Sequence, residues 1–470
     1  MSQLRKRPIR SAAGMALLVV LVILIAVGAS SSSFIWFMNQ LQDRAGLRYR
    51  SAVAMSLAEA GVHRTLSILE MAAFDGRPGR EWRPTTYSEV LPVGSSEGRF
   101  TVALTDDADG AVVISSIGEF AGVRRRLRAR GYVASPAMLS ALYGTGLIRL
   151  EGAPSVTSIL PSEMTGDRPW IHLAAGTGVW FASPDVSLND PSAPLDASPG
   201  PVGPLHVTGD PARVVRPGSV RLFFGSAAEL ILSQDQQRVD TTQLRATGIN
   251  VDGVVLRHDT LPAPPEVDRS YYQDRARANA ANADVNEAAG KYLRDGELTH
   301  KRDSLYTEDQ FRQVLFYLAV GHRRPRLLGT VYVIGSVALP DGQRLEVTDG
   351  ALVAENTVLV GQGASLEVIH SVATRALPGL LVLDNGALIV AREAWLRVHG
   401  LVYVNRLVDV GEGARVSVVG SVLANDSGLS FRNSGVVAIR YDPAVLGTPG
   451  LRAFTNSPVV VWVAAWEELP

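Results

Sequence analysis

Between Arg10 and Asp43 the chain carries no charge. This run of 32 residues contains Gly14-Met15, an unbroken aliphatic stretch from Leu17 to Ile25, four serines at 30–33, and Phe34-Ile-Trp-Phe-Met38. A helix rises ~1.5 Å per residue and a bilayer core is ~30 Å thick, so the stretch is long enough to cross. Arg5, Lys6, Arg7 and Arg10 precede it. Their charge places that end in the cytoplasm and everything after Asp43 outside, a single-pass topology. Ala26-Val-Gly-Ala29 would serve as the cut site of an ordinary secretory signal. A plain membrane anchor needs no cut at all.

The helical pattern does not stop at the membrane. Leu41, Ala45, Tyr49, Ala52, Ser56, Ala60 and His63 recur at three or four residues, and Leu47, Val53, Leu57 and Ile68 form an adjacent stripe. No proline falls between Met15 and Arg77, and Phe74-Asp-Gly-Arg-Pro78 supplies a stop. One helix from Met15 to Phe74 would be ~90 Å long. A membrane-plus-stalk helix explains such a length better than a globular helix does.

Gly14 directly before Met15, with basic residues upstream and the apolar run entirely downstream, resembles a type IV prepilin signal. Ala58-Glu59-Ala60-Gly61 looks like the segment of that composition in PilX-type minor pilins. The closing Trp466-Glu467-Glu468 strand is similar to the ends of the same exported proteins. The resemblance covers residues 5–70. It implies a leader over 1–14 that a prepilin peptidase removes after Gly14. It also implies methylation of the new terminus at Met15, and partners among other pilins or pseudopilins and an inner-membrane assembly platform. It makes Val19 the fifth mature residue, where most pilins carry glutamate. Read from composition alone, Ala58 to Gly61 is a helix face small enough for close packing.

A small antiparallel meander is expected over 85–134. Phe100 to Leu104 alternates, Asp106-Asp-Ala-Asp-Gly110 turns, Ala111 to Ser116 returns, and Val123 to Val133 forms a third strand. Helix followed by meander is the order of a pilin head. The Asp106–Gly110 run lacks two calcium-loop ligands, since Thr105 and Ser116 stand in their places. It reads as a solvated turn in preference to a calcium site. Arg124, Arg126, Arg128 and Arg130 alternate onto one face beside Arg125. They read as a solvated edge that resists aggregation, or as a contact for anions or a partner.

From Ser135 the texture changes. Over 135–265 short apolar pieces recur, among them Leu142-Tyr143, Trp180-Phe181, Pro204 to Thr208, Leu222 to Phe224 and Leu230 to Leu232. From Gly329 onward four-residue strands recur roughly every 6 to 15 residues. Asp349-Gly-Ala, Gly363-Ala, Asn385-Gly-Ala and Gly411-Glu-Gly-Ala lie between them. Gly-Ala corners between short strands predict a β-solenoid, with a β-sandwich as the alternative. Within a rung, a charge at Ile389 is expected to be costly. Leu261 to Asp268 is proline-rich, and 266–325 reads as a helical insertion, with helices over Tyr271 to Tyr292 and Thr307 to Ala319. The unit over 326–470 then holds the later rungs and a final strand, on which Val460, Trp462 and Trp466 share a face. The fold class is α+β: a long N-terminal helix, a small meander and a large β-rich ectodomain.

Several chemistries are excluded or unsupported. The 470 residues include no cysteine, so disulfides, lipidated cysteine and thiolate metal sites are ruled out. The formal net charge of −1 gives no global reason to expect nucleic acid as a partner. No hydrolase, zincin or P-loop motif is present. Gly176-Thr-Gly178 lacks the third glycine and following helix of a dinucleotide site. Asp384, Asp409 and Glu412 are the carboxylates that a β-helix enzyme would bring together across rungs. The expectation is a non-catalytic chain without cofactor or metal. It would be a minor pilin or pilus assembly component in the bacterial inner membrane, exporting a β-rich head toward a surface ligand or partner. A K-class pseudopilin of type II secretion and a membrane-anchored β-helix carbohydrate-binding protein or enzyme are the alternatives.

Overall fold

The computed structural model describes residues 10–71, 78–107, 111–158, 171–175, 178–181, 187–188, 222–225, 229–232, 237–240, 255–258, 263–320, 325–370, 378–452 and 459–469. Helix α1 runs Arg10–Glu70, 61 residues without a break. It starts five residues before Met15, because Ser11-Ala-Ala continues the helix-forming run. It ends four residues short of the expected Phe74. The backbone there closes with Met71 N donating to Ile68 O at 3.1 Å and Gly79 N to Met71 O at 3.1 Å. Residues 72–77 lie outside the described set.

The last turns of α1 rest on an antiparallel sheet of β1 (Tyr87–Val93), β2 (Ser96–Asp106), β3 (Val112–Phe120), β4 (Val123–Ala134) and a closing strand, Val460–Leu469, in that order. Phe120 pairs with Val123 across Ala121 and Gly122, at φ 47° and 79°. That is the two-residue turn whose twist suits a hairpin. Strand β1 was not expected. Its exposed and half-buried positions alternate weakly, and Pro92 confines it to an edge. The closing strand corrects the expected division, which grouped it with the later rungs. It pairs with β4 from Val460↔Ala134 to Leu469↔Arg126, with a bulge after Val463. Without it β4 would present an open edge. Acidic residues on the strand also match the arginines of β4: Glu467 lies opposite Arg128, and Arg125 Nη1 sits 3.3 Å from Glu468 Oε1. The chain between residues 135 and 459 is thus inserted between the last two strands of the head sheet.

Among the described residues, the remaining strands from Ser140 to Tyr441, apart from Glu266–Val267, join one 23-stranded sheet. Its pairs are parallel apart from 229–232 with 237–240. A β-sandwich is built from antiparallel sheets instead. Three ladders recur. In one, Val331 pairs with Leu352, Leu352 with Leu380, Leu380 with Val402 and Val402 with Val422. In the second, Leu345, Leu366, Leu396, Val416 and Val437 stack in register. In the third, Val360, Val390, Val410 and Phe431 do so. All of these side chains are buried. Trp180-Phe181, Leu222 to Phe224 and Leu230 to Leu232 are strands as expected, while 204–208 lies outside the described residues.

The period of two also decides Ile389. It pairs with Leu359 and Asp409 on the outward side of its ladder, between the buried Leu388 and Val390. The expectation of a costly charge there is wrong. Asp409 already occupies the equivalent place one turn on, bonded to Arg432 Nε at 2.9 Å.

The ladders do not follow chain order. Val422 pairs with Leu142, so the latest strands abut the earliest ones. The helical segment therefore does not sit between early and late strands. Helices α2 (Arg269–Ala278), α3 (Ala283–Leu293), α4 (Gly296–His300) and α5 (Glu308–Val320) lie against the first strands of the later set, at the opposite end of the ladders. The single helix expected over 271–292 is split at Asn279–Asn282, because those asparagines serve the terminal strand Arg326–Leu328. Asn282 Nδ2 donates to Leu328 O at 2.9 Å, and Leu328 N donates to Asn282 Oδ1 at 2.8 Å. Asn279 Nδ2 adds a bond to Leu328 O at 2.7 Å. The backbone at the end of the ladder is thereby satisfied, as an exposed edge requires. The start signal at Thr307 is a capping box: Gln310 N donates to Thr307 Oγ1 at 3.3 Å, and Thr307 N to Gln310 Oε1 at 3.2 Å.

One buried titratable group gives this region a pH dependence. His370, 5% exposed, follows the strand Ser365–Ile369. Burial pushes its pKa down from 6.5 to about 4, His399 adds to the shift, and the Pro378 carbonyl and Asp349 oppose it. The unfolded chain binds the proton more readily, so stability is full above about pH 6.5 and falls as pH drops toward 4. A shift of that size corresponds to about 3 kcal/mol. Urea unfolding at pH 7 and pH 4.5 should show the loss, and His370→Phe should remove the part due to this residue. An identical slope against pH in the variant would assign the effect elsewhere.

Candidate assembly interface

Among the described residues, nothing packs on the first half of α1. Met15 and Leu17 are each 74% exposed, and Val19 is 54% exposed. An 18-residue window has mean hydropathy 2.5 with none of it buried. A continuous apolar surface of this kind needs lipid or other helices around it. The serines fit that requirement, since the Oγ atoms of Ser30, Ser32 and Ser33 donate to the carbonyls of Ala26, Gly28 and Ala29 at 2.8, 2.9 and 2.9 Å. Gly14 and Met15 lie in the first two turns of the helix, and Val19 is one turn above Met15 on the same face.

The stalk motif lies far from these residues and does different work. Ala58 is fully buried and Gly61 is buried, while Ala60 is half-buried and Glu59 points to solvent. A Cβ on Gly61 would lie 2.4 Å from Ser116 Oγ and 2.9 Å from Val102 Cγ2. The small residues therefore set how closely α1 approaches the head sheet, which is the close-packing reading of the motif. Gly118 on β3 completes the approach: a Cβ there would lie 1.9 Å from Ala54 O. Further up, Thr65 Oγ1 donates to Gly61 O at 2.8 Å and meets Tyr87 Oη at 3.0 Å. Burial raises the pKa of that phenol. Val461 N donates to Glu70 Oε1 at 3.0 Å and fastens the closing strand to the helix end. Gly118, Tyr87 and Glu70 were not singled out in the sequence. A glycine at a strand position was the available signal for the first.

On the opposite side of the sheet, the arginine row is partly neutralised. Arg124 reaches Glu119 at 3.3 Å and Arg130 reaches Asp107 at 2.6 Å. Arg125, on the helix side, donates to Ser51 Oγ at 2.8 Å. Arg126 and Arg128 are exposed. At the turn read against calcium, Asp106 pairs with Arg83 at 2.9 Å, and residues 108–110 lie outside the described set. Asp384 and Asp409 do not converge with each other; they pair with Arg269 and Arg432. Among the described residues no three His, Asp or Glu side chains gather as a metal site.

No protein-family model matches the chain, and no curated protein matches it. A solved structure, the competence-associated pilin ComZ from Thermus thermophilus, aligns over 89% of this chain and 97% of its own, at 13% identity and a TM-score of 0.29. A score at that level does not establish a shared fold.

Proposed function

We propose that this chain is a low-copy minor pilin, PilX-like, of a type IV pilus machine. The observation that carries the reading is α1 itself. One unbroken helix is apolar and bare through its first half and fixed to a small antiparallel sheet by its last turns. A soluble fold gives no use for the first half, and a plain anchor gives no reason for helix and stalk to be continuous. Cleavage after Gly14 would leave Met15 as the terminus, stored in the inner membrane until an assembly platform draws the helix among those of other pilins. The ectodomain would then be carried outside. Its in-register parallel ladders support a β-solenoid that presents a surface and does no chemistry. A K-class pseudopilin of type II secretion is the second reading. The insertion of 135–459 into the head and the missing glutamate suit it equally.

Val19 sets the stoichiometry. A free α-amine inside an apolar helix bundle is expensive unless a carboxylate meets it. With valine at the fifth mature position, this subunit offers none to its neighbour. Filaments sheared from cells should therefore contain it far below the major pilin, by quantitative mass spectrometry. Filaments built from this protein alone, or equal abundance, would overturn the stoichiometry.

A further inference from the structure

The apolar run of α1 ends beneath a band of arginines. A bilayer core of ~30 Å counted from Leu17 closes near Trp36. Trp36 and Phe37 are exposed at that level, where aromatic rings suit a membrane interface. Arg44, Arg48 and Arg50 follow on the helix, all exposed. They stand roughly 12–21 Å above Trp36 along the axis. Helical side chains lean toward the helix N-terminus, which here is toward the bilayer. Headgroups and one Debye length together extend about 15 Å beyond the core, so the guanidinium groups of Arg44 and Arg48 reach that layer. The head lowers more arginines to the same height. Phe120 meets Tyr49 edge-on, 6.3 Å between ring centroids, and Arg125 donates to Ser51 Oγ at 2.8 Å. These contacts set the hairpin at Ala121-Gly122 level with the start of the stalk, as the part of β3 and β4 nearest the membrane. Residues 44, 48 and 51 share one helix face, so Arg44 and Arg48 lie directly below the Ser51–Arg125 bond. Arg124 and Arg126 are exposed on the outer face of the same hairpin. Asp43, Glu97, Glu119 and Glu468 offset part of this charge, Glu119 through Arg124 and Glu468 through Arg125. The underside of the head keeps a positive excess.

We infer that this underside is a docking surface for the phosphates of an anionic phospholipid bilayer, the one that α1 crosses. The inference rests on the membrane reading of α1. Position selects the occupant, because the arginines continue directly from the span and sit on the membrane side of the head. Residue type agrees with it: the guanidinium fork matches two oxygens of a phosphate, and each basic group near an anionic surface strengthens attachment about fivefold. Docked in this way, the head stays on the bilayer until α1 is withdrawn.

Energy transfer from the head to the lipid surface tests the docking. The chain has no cysteine, so Ser95→Cys in the exposed β1–β2 turn carries a single dye, and an acceptor is placed on lipid headgroups. The full chain is reconstituted into vesicles of phosphatidylcholine, alone or with about 30% phosphatidylglycerol. Transfer should be about twofold higher in the anionic vesicles, and about 0.5 M salt should remove the difference. Arg44→Gln, Arg48→Gln, Arg124→Gln and Arg126→Gln combined should give the phosphatidylcholine value in both lipids. Unchanged hydrogen exchange over 54–69 would show that its stalk and sheet remain joined. Arg344→Gln with Arg415→Gln, two exposed arginines of the ladders, should leave the lipid effect intact. Resistance to alkaline carbonate reports insertion of α1 separately: wild type washed from neutral vesicles would sink the membrane reading and this inference with it. Wild type that stays inserted but shows equal transfer in both lipids would overturn the docking alone. So would equal loss in the ladder variant.

Discussion

Gly118→Val separates the stalk helix from the head sheet. The contact at Gly118 is backbone on backbone: a Cβ would lie 1.9 Å from Ala54 O and 2.6 Å from Ala58 N. No rotamer change relieves that overlap, so either α1 lifts or β3 distorts. Lifting α1 exposes Ala58, Val62, Phe100, Val102 and Ile114, which form one buried cluster. Overpacking of this kind costs about 3 kcal/mol, and more where the obstacle is main chain. Hydrogen exchange in residues 54–69 should accelerate by a factor of about 100 while the strand ladders keep their protection. Gly46→Ala is the matched control. Its Cβ meets nothing within 4 Å, and a helix interior favours alanine. Unchanged exchange in Gly118→Val would show that the helix does not rest on the sheet as described.

Val390→Asp should abolish folding of the ladder region, and Ile389→Asp should barely affect it. Val390 is 1% exposed and stacks between Val360 and Val410. A carboxylate there has no partner and costs several kcal/mol, or is kept protonated at a similar cost. Ile389 faces out, and the change should stay below about 1 kcal/mol, with mild repulsion from Asp409 beside it. Soluble yield and urea midpoint of the two variants distinguish them. Equal damage from both would mean that the ladder's faces are assigned wrongly.

These two positions show where reading the sequence succeeds and where it stops. The helix was legible because its signals are local: charge absence, a three-to-four spacing, and no proline until Pro78. Its small-residue motif was legible too, but its meaning lay in Gly118, 57 positions further on, which the helix pattern cannot indicate. Hairpins at Ala121-Gly122 could be read from turn chemistry. The closing strand could not, since its choice of β4 depends on an edge left open more than 300 residues earlier. Ile389 was misread because Ala387-Leu-Ile-Val390 contains no polar residue to mark the outward face. The helices of the cap were visible in composition, but their place depends on which end of the ladders is left uncovered. The Tyr292–Tyr317 ring pair was not legible, because the two residues meet only when α3 and α5 pack.

The most direct measurement is the N-terminal sequence of the protein purified from membranes of cells that hold a prepilin peptidase. A pilin-type subunit begins at Met15, and Gly14→Glu leaves the longer precursor, because a bulky anion replaces the glycine beside the cut. A protein that begins at Ser30, or that keeps residues 1–14 in the wild type, would contradict the account.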